Sequence, residues 1–354
     1  MKNHPQAAVR APSVSGGTKL SVCIPTYNRA AFIGATLESI SSQIEDGIEV
    51  VIVDGASTDN TSEVVASFED RLPRLTYHRG VKNMGVDRDM ATAVEIARGE
   101  YCWLMSSDDV FAPGALSTML GAVRSSDDIY LCDIALCDFH LKPIRNTVCL
   151  SPRRAGNRFN LSDRAQLLQY LRFATSNNAV FCYMSSMGFR RSKWINAGYN
   201  ERFGGTGYAH VFTLLSFIRL GCVLTYLPSP LVLNRADNDS FSAQGIEKRY
   251  MMDFDGFLML GDTLFKDDPE VRRAFLHLMT REHPWYRIAK FRSAVASPSR
   301  WNEIHAKLVA FGYGRWTLAL GDLLGRLSFF VALGLYLNKR LARSALLRWL
   351  RKPT

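Results

Sequence analysis

From residue 20 onward, short apolar runs alternate with stretches whose apolar residues recur every three or four positions. Residues 20–24, 50–53, 75–78 and 101–105 form the runs. Between them, residues 30–43 place Phe32, Ile33, Leu37 and Ile40 at helical spacing, and a helix at 61–68 can be capped by Thr58 or Asp59. Residues 86–97 read as a helix stopped by Gly99, and another helix runs from Pro113 to about Val123. This alternation predicts a parallel, doubly wound α/β sheet with right-handed crossovers.

The pattern continues with a strand at 129–139, a loop at 142–160 rich in Pro, Gly and Arg, and a helix at 163–173. Residues 179–185 read as another strand, 191–197 as a short helix, and 208–220 as an apolar helix closed by Gly221. A strand at 223–227 and a polar loop at 234–244 precede Gly245, beyond which the spacing is helical. The expected organisation is a loose leader at 1–18, an α/β domain at 19–245 and a helical region at 246–354.

Charge changes the picture at one end only. The chain carries 43 Lys/Arg and 33 Asp/Glu, a net +10. Residues 281–354 hold 14 Lys/Arg against 3 Asp/Glu, whereas residues 1–280 hold 29 against 30. The seven cysteines lie mostly in apolar runs and form no CxxC or Cys/His cluster, as expected of buried thiols in a reducing cytoplasm. Residues 1–19 lack an apolar core, which argues against a signal peptide or anchor there.

Candidate chemistry lies where the strands end, the edge at which open α/β sheets bind ligands. The run at 101–105 breaks into Ser106, Ser107, Asp108 and Asp109. Adjacent carboxylates offer hard oxygens to a divalent cation that neutralises a diphosphate; they also suit a plain strand-end turn. The first strand ends in Pro25-Thr26-Tyr27-Asn28-Arg29, where Tyr27 could stack on a base, Arg29 could meet a phosphate, and Asn28 could equally cap a helix. Asp54 closes the second strand and could accept from a base or ribose, but the glycine fingerprint of a dinucleotide fold is missing. Asn83-Met-Gly85-Val-Asp87-Arg88 opens a helix from which Arg88 could reach a phosphate or base.

Ser21-Val-Cys-Ile-Pro-Thr-Tyr-Asn-Arg29, Val51-Ile-Val-Asp-Gly-Ala-Ser-Thr-Asp59, Asn83-Met-Gly85 and the stretch from Ala97 to Asp109 resemble, in this order, the motifs of family 2 glycosyltransferases. The resemblance covers about residues 19–245. It implies a GT-A fold, a nucleoside-diphosphate-sugar donor, a divalent metal (Mn2+ or Mg2+), and inversion at the anomeric carbon. Ser185-Ser-Met-Gly-Phe-Arg-Arg-Ser-Lys-Trp194, His210 and Asn234-Arg-Ala-Asp-Asn-Asp-Ser240 are most similar to the abequosyltransferase-like branch, which adds dideoxyhexoses to bacterial O-antigen units. By this resemblance Pro25, Tyr27, Arg29, Asp54, Arg88 and Ser106 line the nucleotide site, and Asp108, with Asp109 beside it, holds the metal.

Two positions depart from the family pattern. Ser106 stands where the first acid of Asp-x-Asp-Asp is usual, and Ala209-His210 stand where a Glu-Asp pair usually opens the acceptor helix. His210 could act as the base, its ordinary pKa lying near neutrality, or could orient acceptor or donor. Asp237 or Asp239 could reach the metal from the late polar loop or hold an Asx turn. Gly204-Gly205-Thr206-Gly207 reads as an acceptor loop.

In the basic tail only residues 327–337 are uninterruptedly apolar, too short to span a bilayer. Leu337, Leu341, Ala345 and Trp349 share a helical stripe opposite Lys339, Arg340 and Arg343, the pattern of a helix lying on an anionic membrane surface. A cap on the α/β domain or an oligomer contact are the alternatives; the mixture with long apolar segments disfavours nucleic acid. The expectation is a transferase peripheral to the inner face of a bacterial cell membrane, acting on a polyprenyl-diphosphate-linked glycan of O-antigen type. The missing acids motivate a second expectation, a catalytically silent sugar-nucleotide-binding partner; a family 2 transferase acting on another surface glycan is the remaining alternative.

Overall fold

The computed structural model describes residues 17–153, 156–236, 238, 245–295 and 297–326. The first elements are β1 (Leu20–Thr26), α1 (Ala30–Ser41), β2 (Ile48–Asp54), α2 (Thr61–Ala66), β3 (Leu75–Arg79), α3 (Val86–Ile96) and β4 (Tyr101–Leu104). Strands β1, β2 and β4 are buried at every residue, so they read as near-continuous apolar runs. They lie parallel in the order β3-β2-β1-β4.

Next come β5 (Val110–Phe111), α4 (Ala115–Ala122), β6 (Ile129–Cys137), β7 (Pro143–Thr147), β8 (Arg158–Asn160), α5 (Arg164–Phe173), β9 (Met187–Arg190), α6 (Arg191–Ala197), α7 (Ala209–Ser216) and β10 (Val223–Arg235). The sheet continues β4-β9-β6-β10-β5, with β9 antiparallel to both neighbours and β6 parallel to β10. The result is a mixed, mostly parallel sheet flanked by helices.

Three expected elements change. Residues 179–185 are not a strand: Asn177–Val180 and Met184–Ser186 are 3-10 turns, with Phe181 left-handed at φ 72°, and the strand starts at Met187. The loop at 142–160 contains β7 and β8, whose exposed residues carry little apolar signal. The strand at 223–227 runs on to Arg235, because the ladder with β6 shifts register around Pro228 and Pro230 instead of ending there. Asn234 and Arg235 therefore sit in a strand.

Alternate residues of the central strands feed two cores. Val22, Ile24, Val50 and Ile52 pack with Ile33 and Leu37 of α1 and Met119 of α4. Cys23, Val51 and Val53 belong to the other core with Met90, Val94 and Leu214. That second core runs on into the helices after Gly245, α8 (Ile246–Leu264), α9 (Pro269–Leu276), α10 (Leu278–Glu282), α11 (Trp285–Ala294), α12 (Pro298–Ala310) and α13 (Arg315–Arg326). Phe254, Phe257, Phe275 and Phe291 are fully buried in it. Gly256 lets α8 lie on Tyr208: a Cβ there would come within 2.4 Å of the tyrosine ring. No described helix is long and apolar enough to cross a membrane. The cationic stripe at 337–349 lies outside the described residues.

Candidate functional site

The loops after β1 and β2 are stitched together. Asn28, left-handed at φ 52°, donates its backbone N–H to Ser57 Oγ (2.8 Å) and accepts from the Thr58 N–H on its own side chain (2.8 Å). Asn28 is thus a cross-loop clamp and not a helix cap. Asp59 accepts from the N–H groups of Ala30 (3.0 Å) and Thr61 (3.1 Å), so it fastens the starts of α1 and α2. Pro25 lies in buried β1, Tyr27 is 43 % exposed beyond it, and the Arg29 guanidinium stands 5.8 Å from the Phe32 ring.

Asp54 is fully buried at the end of β2. Its carboxylate accepts from the Ser57 N–H (2.8 Å) and the Tyr77 hydroxyl (2.5 Å). Asp89, from α3, reaches the same place: a Cβ on Gly55 would come within 2.8 Å of Asp89 Oδ2. Burial, and secondarily the Asp54 charge, push the Asp89 carboxyl up to about 6. Two acids at a strand end can receive the N–H donors of a nucleobase. Sequence reasoning missed Asp89, because a first-turn Asp on a helix looks like ordinary dipole complementation. Arg88 is directed elsewhere, 3.4 Å from Glu95 and 5.2 Å from the Tyr199 ring.

The two carboxylates after β4 have different surroundings. Asp109 is 2 % exposed and saturated with donors: Tyr183 hydroxyl (2.5 Å), Ser185 hydroxyl (3.2 Å), Asn234 amide (3.2 Å) and Arg235 N–H (2.9 Å). Burial first, then Asp108, raise its carboxyl to about 6 against the pull of those hydrogen bonds. Asp108 is half-buried, accepting from Ser106 Oγ on one oxygen and from the Asn238 amide (2.6 Å) on the other. Arg235 donates to the Asp108 carbonyl (2.9 Å). Asp109 thus fixes the loop, while Asp108 presents the accessible carboxylate. With Ser106 Oγ beside it, it offers hard oxygens of the kind that suit Mg2+ or Mn2+ completing its shell on a diphosphate. Asp237 and Asp239 lie outside the described residues, and no group of three or more metal-type side chains gathers among the described ones.

Ahead of α7, Asp87 of α3 accepts from the Gly207 N–H (2.9 Å), with the amides of Gly205, Thr206 and Ala209 also turned to it. This carboxylate tethers the glycine loop to the start of α7. His210 follows, 5 % exposed, with Nε2 3.0 Å from the Phe181 carbonyl. A carbonyl only accepts, so Nε2 carries the proton. Nδ1 is buried with no hydrogen-bond partner among the described residues, and burial lowers the imidazole to about 4. A base poised near neutrality needs a higher affinity for the proton. The Phe181 contact anchors His210 at the start of α7.

Residues 21–195 match the family model described as glycosyl transferase family 2. The chain is 34 % identical over 270 residues to abequosyltransferase RfbV of Salmonella typhimurium, covering 75 % of this chain and 81 % of that one. It is 32 % identical over 111 residues to a GalNAc(5)-diNAcBac-PP-undecaprenol beta-1,3-glucosyltransferase of Campylobacter jejuni, covering 29 % of this chain and 33 % of that one. Residues 1–349 of S. aureus TarS share the fold with a TM-score of 0.60 at 16 % identity, over 83 % of this chain and 80 % of that one. Mannosyltransferase PcManGT from Pyrobaculum calidifontis, in complex with GDP-Man and Mn2+, does so with a TM-score of 0.52 at 19 % identity, over 90 % of this chain and 88 % of that one.

Proposed function

The chain belongs to glycosyl transferase family 2, and we propose that it transfers a deoxy- or dideoxyhexose, with inversion, from a nucleoside-diphosphate sugar to a lipid-linked glycan of bacterial O-antigen type. The observation that carries this reading is the accessible Asp108 carboxylate, framed by Ser106 and Asn238 and backed by a buried, saturated Asp109. The likeness to abequosyltransferase RfbV over most of both chains supports the sugar class, and the undecaprenol-linked acceptor in the name of the Campylobacter relative supports the acceptor class.

In this reading Asp54 and Asp89 receive the base, and Tyr27 and Arg29 border the nucleotide. Asp108 and Ser106 would hold Mg2+ or Mn2+, with Asp237 as a further candidate. Such an ion stabilises the negative charge that collects on the departing diphosphate. Asp87 and the glycine loop present the start of α7 to the acceptor, and His210 keeps that turn in place through Phe181. Trp316, Leu320 and Leu323 of α13, exposed by 89, 43 and 57 %, recur at helical spacing and support contact with the inner membrane surface.

Titration calorimetry with a panel of nucleoside diphosphates, with and without Mn2+, tests the donor site. Binding of one member, tightened by Mn2+, is expected; no binding to any member sinks the transferase reading. A second reading, a silent sugar-nucleotide-binding partner, draws on the buried, weakly basic His210. Donor binding without turnover on lipid-linked glycans would favour it.

A further inference from the structure

A cavity of about 540 Å3 lies between the transferase fold and the helices that follow it. Tyr183 and Tyr208 line one side, and Arg249, His283, Arg287 and Lys290 line the other. A second cavity of about 410 Å3 shares Tyr183 and Arg287 with the first and adds Arg145 and Arg281. Both volumes fall in the roughly 300–1,000 Å3 range of small-ligand sites. The wall at Tyr183 is also a wall of the donor site, since its hydroxyl donates to Asp109 (2.5 Å). A ligand here lies on the acceptor side of the metal loop.

The charge balance of this cleft is positive. Asp253 answers Arg249, and Glu282 answers Arg287 at 2.9 Å. Arg281 donates to the backbone carbonyls of Leu171 (2.9 Å) and Ala174. Among the described residues neither Arg281, Arg145 nor Lys290 has a carboxylate within ion-pair distance. His283 supplies an independent sign of a missing ligand. It is 6 % exposed and lines the cavity, and neither ring nitrogen has a hydrogen-bond partner among the described residues; Nε2 stands 3.8 Å from Asp253 Oδ2. A buried N–H without an acceptor is costly, and an anion in the cavity would supply one. Tyr286, 41 % exposed, lines both cavities, and Trp285, 44 % exposed, stands edge-on to it with ring centroids 5.9 Å apart.

We propose that this cleft holds the diphosphate head of the isoprenoid-linked acceptor, with Arg287, Lys290 and His283 donating to it and the Trp285–Tyr286 rim meeting the isoprenoid. The inference rests on the transferase reading and adds a second anion site, built by the helices after the sheet. Bidentate arginine and charge-assisted contacts suit a diphosphate.

Farnesyl diphosphate is the probe, titrated into the full chain with the donor site saturated by its nucleoside diphosphate. Farnesyl diphosphate and inorganic pyrophosphate should bind and farnesol should not; a preference for the farnesyl ester over pyrophosphate would assign the isoprenoid rim. Lys290→Glu, on an exposed side chain with no ion pair among the described residues, and Arg287→Gln should each weaken farnesyl diphosphate by about tenfold or more. Both variants should keep nucleoside diphosphate affinity. Displacement of farnesyl diphosphate by the nucleotide, equal binding by both variants and the parent, or no diphosphate binding in the cleft overturns the proposal. Loss of nucleotide binding in the parent protein would instead count against the donor reading.

Discussion

Asp108 and Asp109 are neighbours in the chain with opposite expected responses to substitution. Asp108→Asn removes an accessible charge and leaves the surrounding hydrogen bonds largely in place. Its metal-dependent turnover should fall by about a hundredfold or more while its melting temperature stays near that of the parent. Asp109→Ala leaves the Tyr183 hydroxyl, the Asn234 amide and the Arg235 N–H without their acceptor, so it should cost about 3 kcal/mol in chemical denaturation. Equal stability of the two variants would refute this division of labour. Asp89 adds a pH dependence. Its folded carboxyl titrates at about 6, against about 3.9 in an unfolded chain, so the native state binds more protons between those values. The stability it contributes is complete below about pH 4 and is lost as pH rises through 6. Asp89→Asn should therefore gain on the parent by about 2 kcal/mol between pH 4.5 and pH 7; a pH-independent difference would contradict the assignment.

Elements differed in how far the sequence exposed them. β1, β2 and β4 were legible because burial on both faces leaves apolar runs with polar strand ends, and those ends carry the residues proposed for the donor site. β9 was displaced because the apolar stretch 179–185 is interrupted by the left-handed Phe181, and Ser185, which reads as strand polarity, is spent on Asp109 and the Ser106 N–H. The β10 extension was hidden by its two prolines. Asp89, Tyr77 and Tyr183 carry no local signal, because their roles arise from contacts 23 to 74 residues away in the cases of Tyr77–Asp54 and Tyr183–Asp109. The docking of α8 depends on one missing methyl group. Gly256→Ala would drive a Cβ into the Tyr208 ring and disturb its hydrogen bond to Asp253 (2.7 Å), with an expected loss of about 1–3 kcal/mol. A thermal melt unchanged from the parent would show that α8 shifts freely on the sheet.

At the scale of the whole molecule, the helices after Gly245 extend the core instead of trailing from it. Truncation at residue 245 would uncover Tyr208, which packs on Gly256 and Phe257, and Leu215, which faces Leu264 and Phe265, and the shortened protein should be recovered largely insoluble. A truncation after residue 310 removes Trp316, Leu320 and Leu323 along with the cationic segment beyond them. Flotation with vesicles containing anionic lipid should fall several-fold; undiminished flotation would assign those helices to packing alone.

The antiparallel strand Met187–Arg190 lies between β4 and β6 in the sheet, although it follows both in the chain. This order governs what the protein looks like while it is being made. Once β4 has left the ribosome the parallel quartet β3-β2-β1-β4 can form, but its β4 edge stays open until residue 190 emerges. Nascent chains ending between residues 137 and 187 therefore display unpaired backbone beside an apolar strand, the stage at which ribosome-bound chaperones have most to shield.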